Sequence, residues 1–169
     1  HMDKKIHKII KKIDEIIDDG NIYWFYYSSN ILKFITKSTS DKKGRKAVEK
    51  FIDENNNVKF IIKMEIVTDI DILESSIKQD KGILTLYSDV YNVKSNNKIS
   101  KTSSKGRSKV IWFTNEELLK FKPSEKEFKN IFKKIAYCIF YEKIKMSPFI
   151  VITINDINKE YYNMNRYKL

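Results

Sequence analysis

The chain has 169 residues, a formal net charge of +11, 41% hydrophobic residues and 13% aromatic residues. This composition excludes an intrinsically disordered protein, and the length fits one domain with its own core. No apolar run approaches the roughly 18 residues that cross a bilayer, no secretory signal pattern is present, and the single cysteine, Cys138, lacks an intramolecular disulfide partner. The sequence therefore predicts a soluble cytoplasmic protein.

The N-terminal segment predicts an amphipathic helix that ends at Gly20. His1 and Met2 are typical of a cloning remnant, so the domain is expected to begin at residue 3. Isoleucines recur at helical spacing, namely Ile6, Ile9, Ile10, Ile13, Ile16 and Ile17. Lysines come first and acidic residues last, which opposes the helix dipole, so the helix must depend on docking its isoleucine face. The helix docks either on the protein's own sheet or on a partner, which is a second copy of the chain or another protein. The residues expected to make a partner contact are Ile6, Ile9, Ile10, Ile13 and Ile17.

The next segments predict one strand and two helices. Residues 22–28, IYWFYYS, have strand propensity, and aromatic residues on both faces indicate burial in the core rather than base stacking. Residues 29–37 are interpreted as a short helix, capped by Ser29 or Asn30. Residues 44–55 predict a second helix, with Val48, Phe51 and Ile52 facing inward.

The remaining chain predicts more strands, followed by a helical region. Strands are expected at 58–67, 82–94, 109–114 and 149–154. Thr114 with Glu117, and Ser124 with Glu127, match the S/T-x-x-E capping box, and the second box precedes a long helix over about 125–145.

These elements place the chain in the α+β class. We expect an antiparallel sheet of about four to five strands, packed by the N-terminal amphipathic helix and the long C-terminal helix. A single α+β domain covers residues 3–154, and residues 155–169 form a polar, tyrosine-rich C-terminal tail.

Positive charge is concentrated in the C-terminal half. Residues 94–169 contain 17 Lys+Arg and 7 Asp+Glu, whereas residues 1–93 contain 16 and 15. The segment 94–109 is expected to be a hairpin loop, and its basic residues are Lys94, Lys98, Lys101, Lys105, Arg107 and Lys109. This pattern is typical of a protein that binds DNA or RNA through sequence-independent phosphate contacts. The abundance of lysine, isoleucine and asparagine also fits an AT-rich coding sequence, such as that of a phage or plasmid.

Several classes of enzyme are excluded. Beyond the remnant, His7 is the only histidine, which excludes HExxH zinc sites and Ser-His-Asp or Cys-His catalysis. The four glycines are too scattered for a P-loop or a dinucleotide fingerprint.

The segment TDIDILE still allows a metal site formed by acidic side chains. Asp69 and Asp71 follow a strand, and side chains two apart on an extended chain point to the same side, where with Glu74 they could bind Mg²⁺. The pattern resembles the metal motif of nucleotidyltransferases and of archaeo-eukaryotic primases. It lacks the glycine-serine turn of the first family and the histidine motif of the second. The resemblance implies Mg²⁺-dependent nucleotidyl transfer.

The order of elements over residues 44–154 resembles the core of PD-(D/E)xK nucleases. This resemblance implies a catalytic carboxylate at Asp89, on the second core strand. The third core strand carries Arg107-Ser108-Lys109 in place of acid-x-Lys, so the lysine matches and the carboxylate does not. Three functions therefore stay open: nucleic-acid binding, Mg²⁺-dependent nuclease or nucleotidyl-transfer activity, and a protein-interaction or inhibitor module that docks through the isoleucine helix.

Overall fold

The computed structural model describes residues 2–18, 20–28, 31–67, 70–80, 82–102, 107–120, 133–135, 151–153, 158–159 and 161–162. Its helices are Met2–Ile16 (α1), Asp41–Glu54 (α2), Ile70–Lys78 (α3) and Asn115–Lys120 (α4). Its strands are Ile22–Ser28 (β1), Ile31–Ser38 (β2), Phe60–Val67 (β3), Gly82–Val93 (β4), Ile99–Lys101 (β5), Arg107–Phe113 (β6) and Val151–Thr153 (β7).

All the strands belong to one sheet with the order β2-β1-β3-β4-β6-β7, and β5 also pairs with β4. The five strands from β2 to β6 in this order are antiparallel neighbours, and β7 joins β6 in parallel. The predicted α+β fold is therefore confirmed. Of the long helix predicted over about 125–145, only residues 133–135 are described, and they are helical.

The sheet has an apolar core on each face. The first core joins the α1 isoleucines to Tyr23 and Phe25 of β1 and to Ile62 of β3. The second core joins Trp24 of the same strand to apolar side chains of α2. Because neighbouring residues of β1 are buried on opposite faces, the aromatic run forms core, as the sequence predicted. Helices cover both faces of the sheet.

The isoleucine face of α1 is packed within the chain. Ile9, Ile13 and Ile16 are at most 2% exposed, and Ile6 is 8% exposed. Ile10 packs more loosely against the same core, as does Ile17 beyond the end of the helix. The face that could have docked on a partner is thus occupied by the protein's own sheet.

The prediction of a short helix over residues 29–37 was wrong, because this segment contains strand β2. It pairs along its length with β1, in a register that includes Tyr27–Leu32 and Trp24–Thr36. Phe34 lies edge-on to Phe25, with the ring centroids 5.7 Å apart. This long-range pairing buries Leu32 and outweighs the local helix signal.

The capping box before α4 is formed as predicted. The hydroxyl of Thr114 accepts a hydrogen bond from the backbone N–H of Glu117 at 3.0 Å, and the Glu117 carboxylate accepts one from the Thr114 N–H at 3.1 Å. These reciprocal bonds satisfy donors that the start of a helix leaves unpaired. The second box, Ser124 with Glu127, lies outside the described residues.

Candidate nucleic-acid interface

The basic segment 94–109 is not one hairpin loop. Residues 94–98 form a tight turn, in which the Lys94 N–H donates to the Lys98 carbonyl at 2.8 Å and Asn97 has a φ of 62°. Residues 99–101 form β5, and β6 begins at Arg107. The loop prediction is corrected because Ile99, only 7% exposed, belongs to the second core and holds this segment on β4.

Two lysines expected to contact phosphate are paired within the protein. Lys98 Nζ lies 2.6 Å from a carboxylate oxygen of Glu49, and Lys101 Nζ lies 3.5 Å from one of Asp89. Lys94 is exposed and makes no ion pair with any carboxylate that the structure describes. Lys105 lies outside the described residues, and for Arg107 and Lys109 only the backbone, in β6, is described.

The turn at residues 94–98, which we call the β4–β5 turn, is fastened to α2 by two contacts. One is the Lys98–Glu49 ion pair, and the other is a hydrogen bond of 3.0 Å from the Asn97 amide to the Asp53 carboxylate. Glu49 and Asp53 are four residues apart on α2, so they lie on one side of the helix. The turn therefore continues the surface of α2.

Helix α2 carries four exposed lysines along its solvent side, which we call the α2 row. They are Lys42, Lys43, Lys46 and Lys50. With 3.6 residues per turn they fall within about 100° of the helix circumference. Gly44, Val48 and Ile52 are the buried residues of this helix and lie on its other side. Within the described part of the chain, no lysine of the row makes an ion pair.

Two of the acidic residues beside the α2 row are already bonded to cations. Asp41 contacts Arg45 Nε and Lys63 Nζ, each at 2.8 Å, and Glu49 holds Lys98. Their negative charge is therefore offset by cations other than those of the row. The row and Lys94 remain as exposed positive charge on one continuous surface. Sequence reasoning missed the row, although a helical projection of residues 41–54 would have shown it.

Asp41 holds the start of α2 on the sheet through its bonds to Arg45 and Lys63. Arg45 also donates to the Tyr91 hydroxyl at 3.3 Å, and Lys63 lies 5.8 Å from the centroid of the Trp24 ring. Burial alone would raise the pKa of Asp41, but hydrogen bonds from Lys63 and Arg45, together with their charge, hold this pKa below its usual value. The ionised carboxylate is thus the form that the fold favours.

This lowered pKa predicts a pH dependence of stability. The contribution of Asp41 is present above the pKa of the unfolded chain, about 3.9, and is lost as pH falls through the lower pKa of the folded protein. We expect Asp41→Asn to lower the melting temperature at neutral pH and the difference from wild type to shrink below about pH 4. Thermal unfolding of both proteins from neutral pH to about pH 2.5 tests this, with the exposed Glu54→Gln as the control. A difference that stays constant with pH would contradict it.

Of the acidic residues considered for catalysis or metal binding, the structure describes the side chains of Glu74 and Asp89 only. Helix α3 begins at Ile70, so Asp71 lies in a helical turn, and the prediction that it follows Asp69 on an extended chain is corrected. Asp69 itself lies outside the described residues, and Glu74 is exposed on α3. Among the residues described, no group of three His, Cys, Asp or Glu side chains could hold a metal ion.

Asp89 lies on β4, as expected, and is 6% exposed. Its cross-strand neighbour on β3 is Lys63. On the other side of β4, Ser88 pairs with Arg107 and Leu86 with Lys109. Consecutive strand residues face opposite sides of a sheet, so Asp89 lies on the other face of β4 from Leu86 and Ser88. The Arg-x-Lys positions of β6 pair with Leu86 and Ser88, and therefore do not lie opposite the Asp89 carboxylate.

Comparison with known proteins finds no relative, since no family model, no curated protein and no solved structure matches the chain. In the described part of the chain, no helix is both long enough and apolar enough to cross a membrane.

Proposed function

We propose that the protein binds nucleic acid through sequence-independent phosphate contacts made by the α2 row and the β4–β5 turn. The observation that carries this proposal is the set of exposed lysines on one continuous surface, where the neighbouring carboxylates of Asp41 and Glu49 are bonded to other cations. A polyanion can then approach without first displacing an ion pair of the row.

The dimensions of the α2 row suit a nucleic-acid backbone. From Lys42 to Lys50 the helix rises about 12 Å, at 1.5 Å per residue. This length equals the axial rise of three to four phosphates on one strand of B-DNA, at about 3.4 Å each. Flexible lysine stems can adjust to the exact phosphate positions, so such contacts carry no base sequence information.

The position of the lysines along α2 also favours a binding role. Three of them, Lys42, Lys43 and Lys46, lie in the first two turns, where the helix dipole already places positive charge. A cation at this end of a helix costs typically 0.3–1 kcal/mol of stability. The lysines of the row therefore lower the local stability of α2. Their charge and the helix dipole both raise the positive electrostatic potential that attracts a phosphate.

The test is a salt series of binding to a 20-base-pair duplex, made as DNA and as RNA with the same sequence. Five phosphate contacts, one for each lysine of the row and one for Lys94, give a slope of log K against log salt of about −4.5 for B-DNA. Fluorescence anisotropy between 0.05 and 0.3 M salt measures it. A second duplex of scrambled sequence should bind with the same affinity. Absent or salt-independent binding would overturn the proposal.

A further inference from the structure

Helix α1 carries a second row of exposed lysines, which we call the α1 row. Its members are Lys4, Lys5, Lys8 and Lys11. They fall within about 120° of the helix circumference, on the side away from the buried isoleucines. Among the described residues none of them makes an ion pair. Lys12 falls within the same arc but is only partly exposed, and its Nζ lies 4.0 Å from the Glu15 carboxylate.

The two rows lie on opposite sides of the protein. Helix α1 packs on the core that contains Tyr23 and Phe25, and α2 packs on the core that contains Trp24. These three residues are consecutive in β1, so the two helices cover the two faces of the same strand. Each row is on the solvent side of its helix. The rows therefore face outward in opposite directions, with the sheet between them.

Both rows begin in the first turn of their helix and extend past its middle, to Lys11 and Lys50. Acidic side chains are described in the last turn of each helix, Asp14 and Glu15 in α1 and Asp53 and Glu54 in α2, and α2 also has Asp41 in its first turn. Neither arrangement is what helix stability favours, because cations are preferred at the C-terminal end. The same unfavourable arrangement on both outer surfaces points to one kind of ligand on both.

We infer that a single molecule bridges two nucleic-acid duplexes, one held by the α2 row and the other by the α1 row. This inference rests on the proposed function, and adds a second binding surface and a bridging activity to it. A duplex has a persistence length of about 150 base pairs, so a short one cannot bend around the domain to reach both rows. Two separate duplexes are therefore required.

The experiment immobilises a biotinylated 20-base-pair DNA duplex on beads, adds the full chain, and then adds a second, fluorescent duplex of the same length. At low salt the wild-type protein should retain the fluorescent duplex. The α1-row variant, with Lys4→Gln, Lys5→Gln, Lys8→Gln and Lys11→Gln, should still bind the beads but retain at least tenfold less fluorescent duplex. Sedimentation of the protein without DNA establishes whether it is a monomer at the concentration used.

A matched control keeps the same change in charge but removes lysines outside both rows. It carries Lys33→Gln, Lys78→Gln, Lys120→Gln and Lys159→Gln, all at exposed positions. This control should bridge like wild type, and circular dichroism of each variant confirms that it is folded. A second readout is the number of duplexes bound per monomer, which should fall from two to one in the α1-row variant and stay at two in this control.

The outcomes separate the inference from the proposed function. Failure of wild type to bind the beads at low salt would overturn both. Binding to the beads without retention of a second duplex would overturn the inference alone. Retention that persists in the α1-row variant, or that occurs only when the protein sediments as a dimer, would also overturn it, because the second duplex would then be held elsewhere. Equal retention of a fluorescent single strand would contradict the requirement for a duplex.

Discussion

Replacing the four lysines of the α2 row with glutamine, in the α1-row variant that lacks the second surface, is expected to lower the affinity for duplex DNA more than a thousandfold at 0.1 M salt, if each meets one phosphate. Each lost contact removes about 0.9 from the slope of log K against log salt, so the slope should become shallower by about 3.6. Anisotropy titrations at several salt concentrations measure both the loss and the slope.

The four substitutions outside both rows, described above as the bridging control, are also the control here and are made in the same α1-row background. They remove the same formal charge, so a protein that attracted DNA only through its net charge would lose equal affinity in both variants. We expect the control to lose far less. Equal losses would contradict an interface at α2.

Stability separates lost contacts from lost structure in this experiment. Glutamine removes positive charge from the first turns of α2, where the helix dipole disfavours it. The α2-row variant should therefore melt at the same temperature as wild type or slightly higher, while its binding falls. A lower melting temperature together with weaker binding would indicate that the lysines support the fold instead.

Where a local sequence pattern and the tertiary environment favour the same structure, the sequence was sufficient to predict it. The isoleucine spacing of α1 predicted which side chains would be buried, because a docked helix must bury its apolar stripe. The Thr114–Glu117 box predicted the start of α4, since that motif is satisfied within four residues. The strand predicted at 58–67 likewise corresponds to β3, Phe60–Val67.

Where long-range contacts determine the local structure, the sequence was not sufficient to predict it. Strand β2 forms because it pairs with β1, and nothing within residues 29–37 indicates that pairing. Similarly, Ile99 divides the basic segment only because it enters the second core. The charge around the α2 row can be read only once Glu49 is known to hold Lys98, which is 49 residues away in the chain. The charge exposed on the surface thus depends on ion pairs between distant residues, which the composition does not reveal.

The second large effect is expected at Gly44, whose replacement by alanine should destabilise the protein. In the interior of an exposed helix this change would stabilise by about 1 kcal/mol. Here a Cβ would overlap the Nε1 and Cε2 atoms of Trp24 and lie 2.6 Å from the hydroxyl oxygen of Ser38. Trp24 is fully buried and donates a hydrogen bond of 2.8 Å to that hydroxyl, so neither side chain can move away freely.

We expect Gly44→Ala to lower the free energy of unfolding by about 2 kcal/mol after the gain in helix propensity, because overpacking a close-packed core costs typically 1–3 kcal/mol and occasionally more. Chemical denaturation of both proteins measures this difference. Ala47→Gly, at an exposed position of the same helix, is the control, and should cost only about 1 kcal/mol by propensity. A Gly44→Ala protein more stable than wild type would contradict the close approach of α2 to the sheet.

A double-mutant cycle shows whether the cost arises at Trp24. Trp24→Phe removes the indole Nε1 that the new methyl group would meet, although it also loses the bond to Ser38 and leaves unfilled volume. If the overlap is the cause, Gly44→Ala should cost at least 1 kcal/mol less in the Trp24→Phe background than in wild type, a coupling within the range for residues in contact. An equal cost in both backgrounds would place the strain elsewhere in α2.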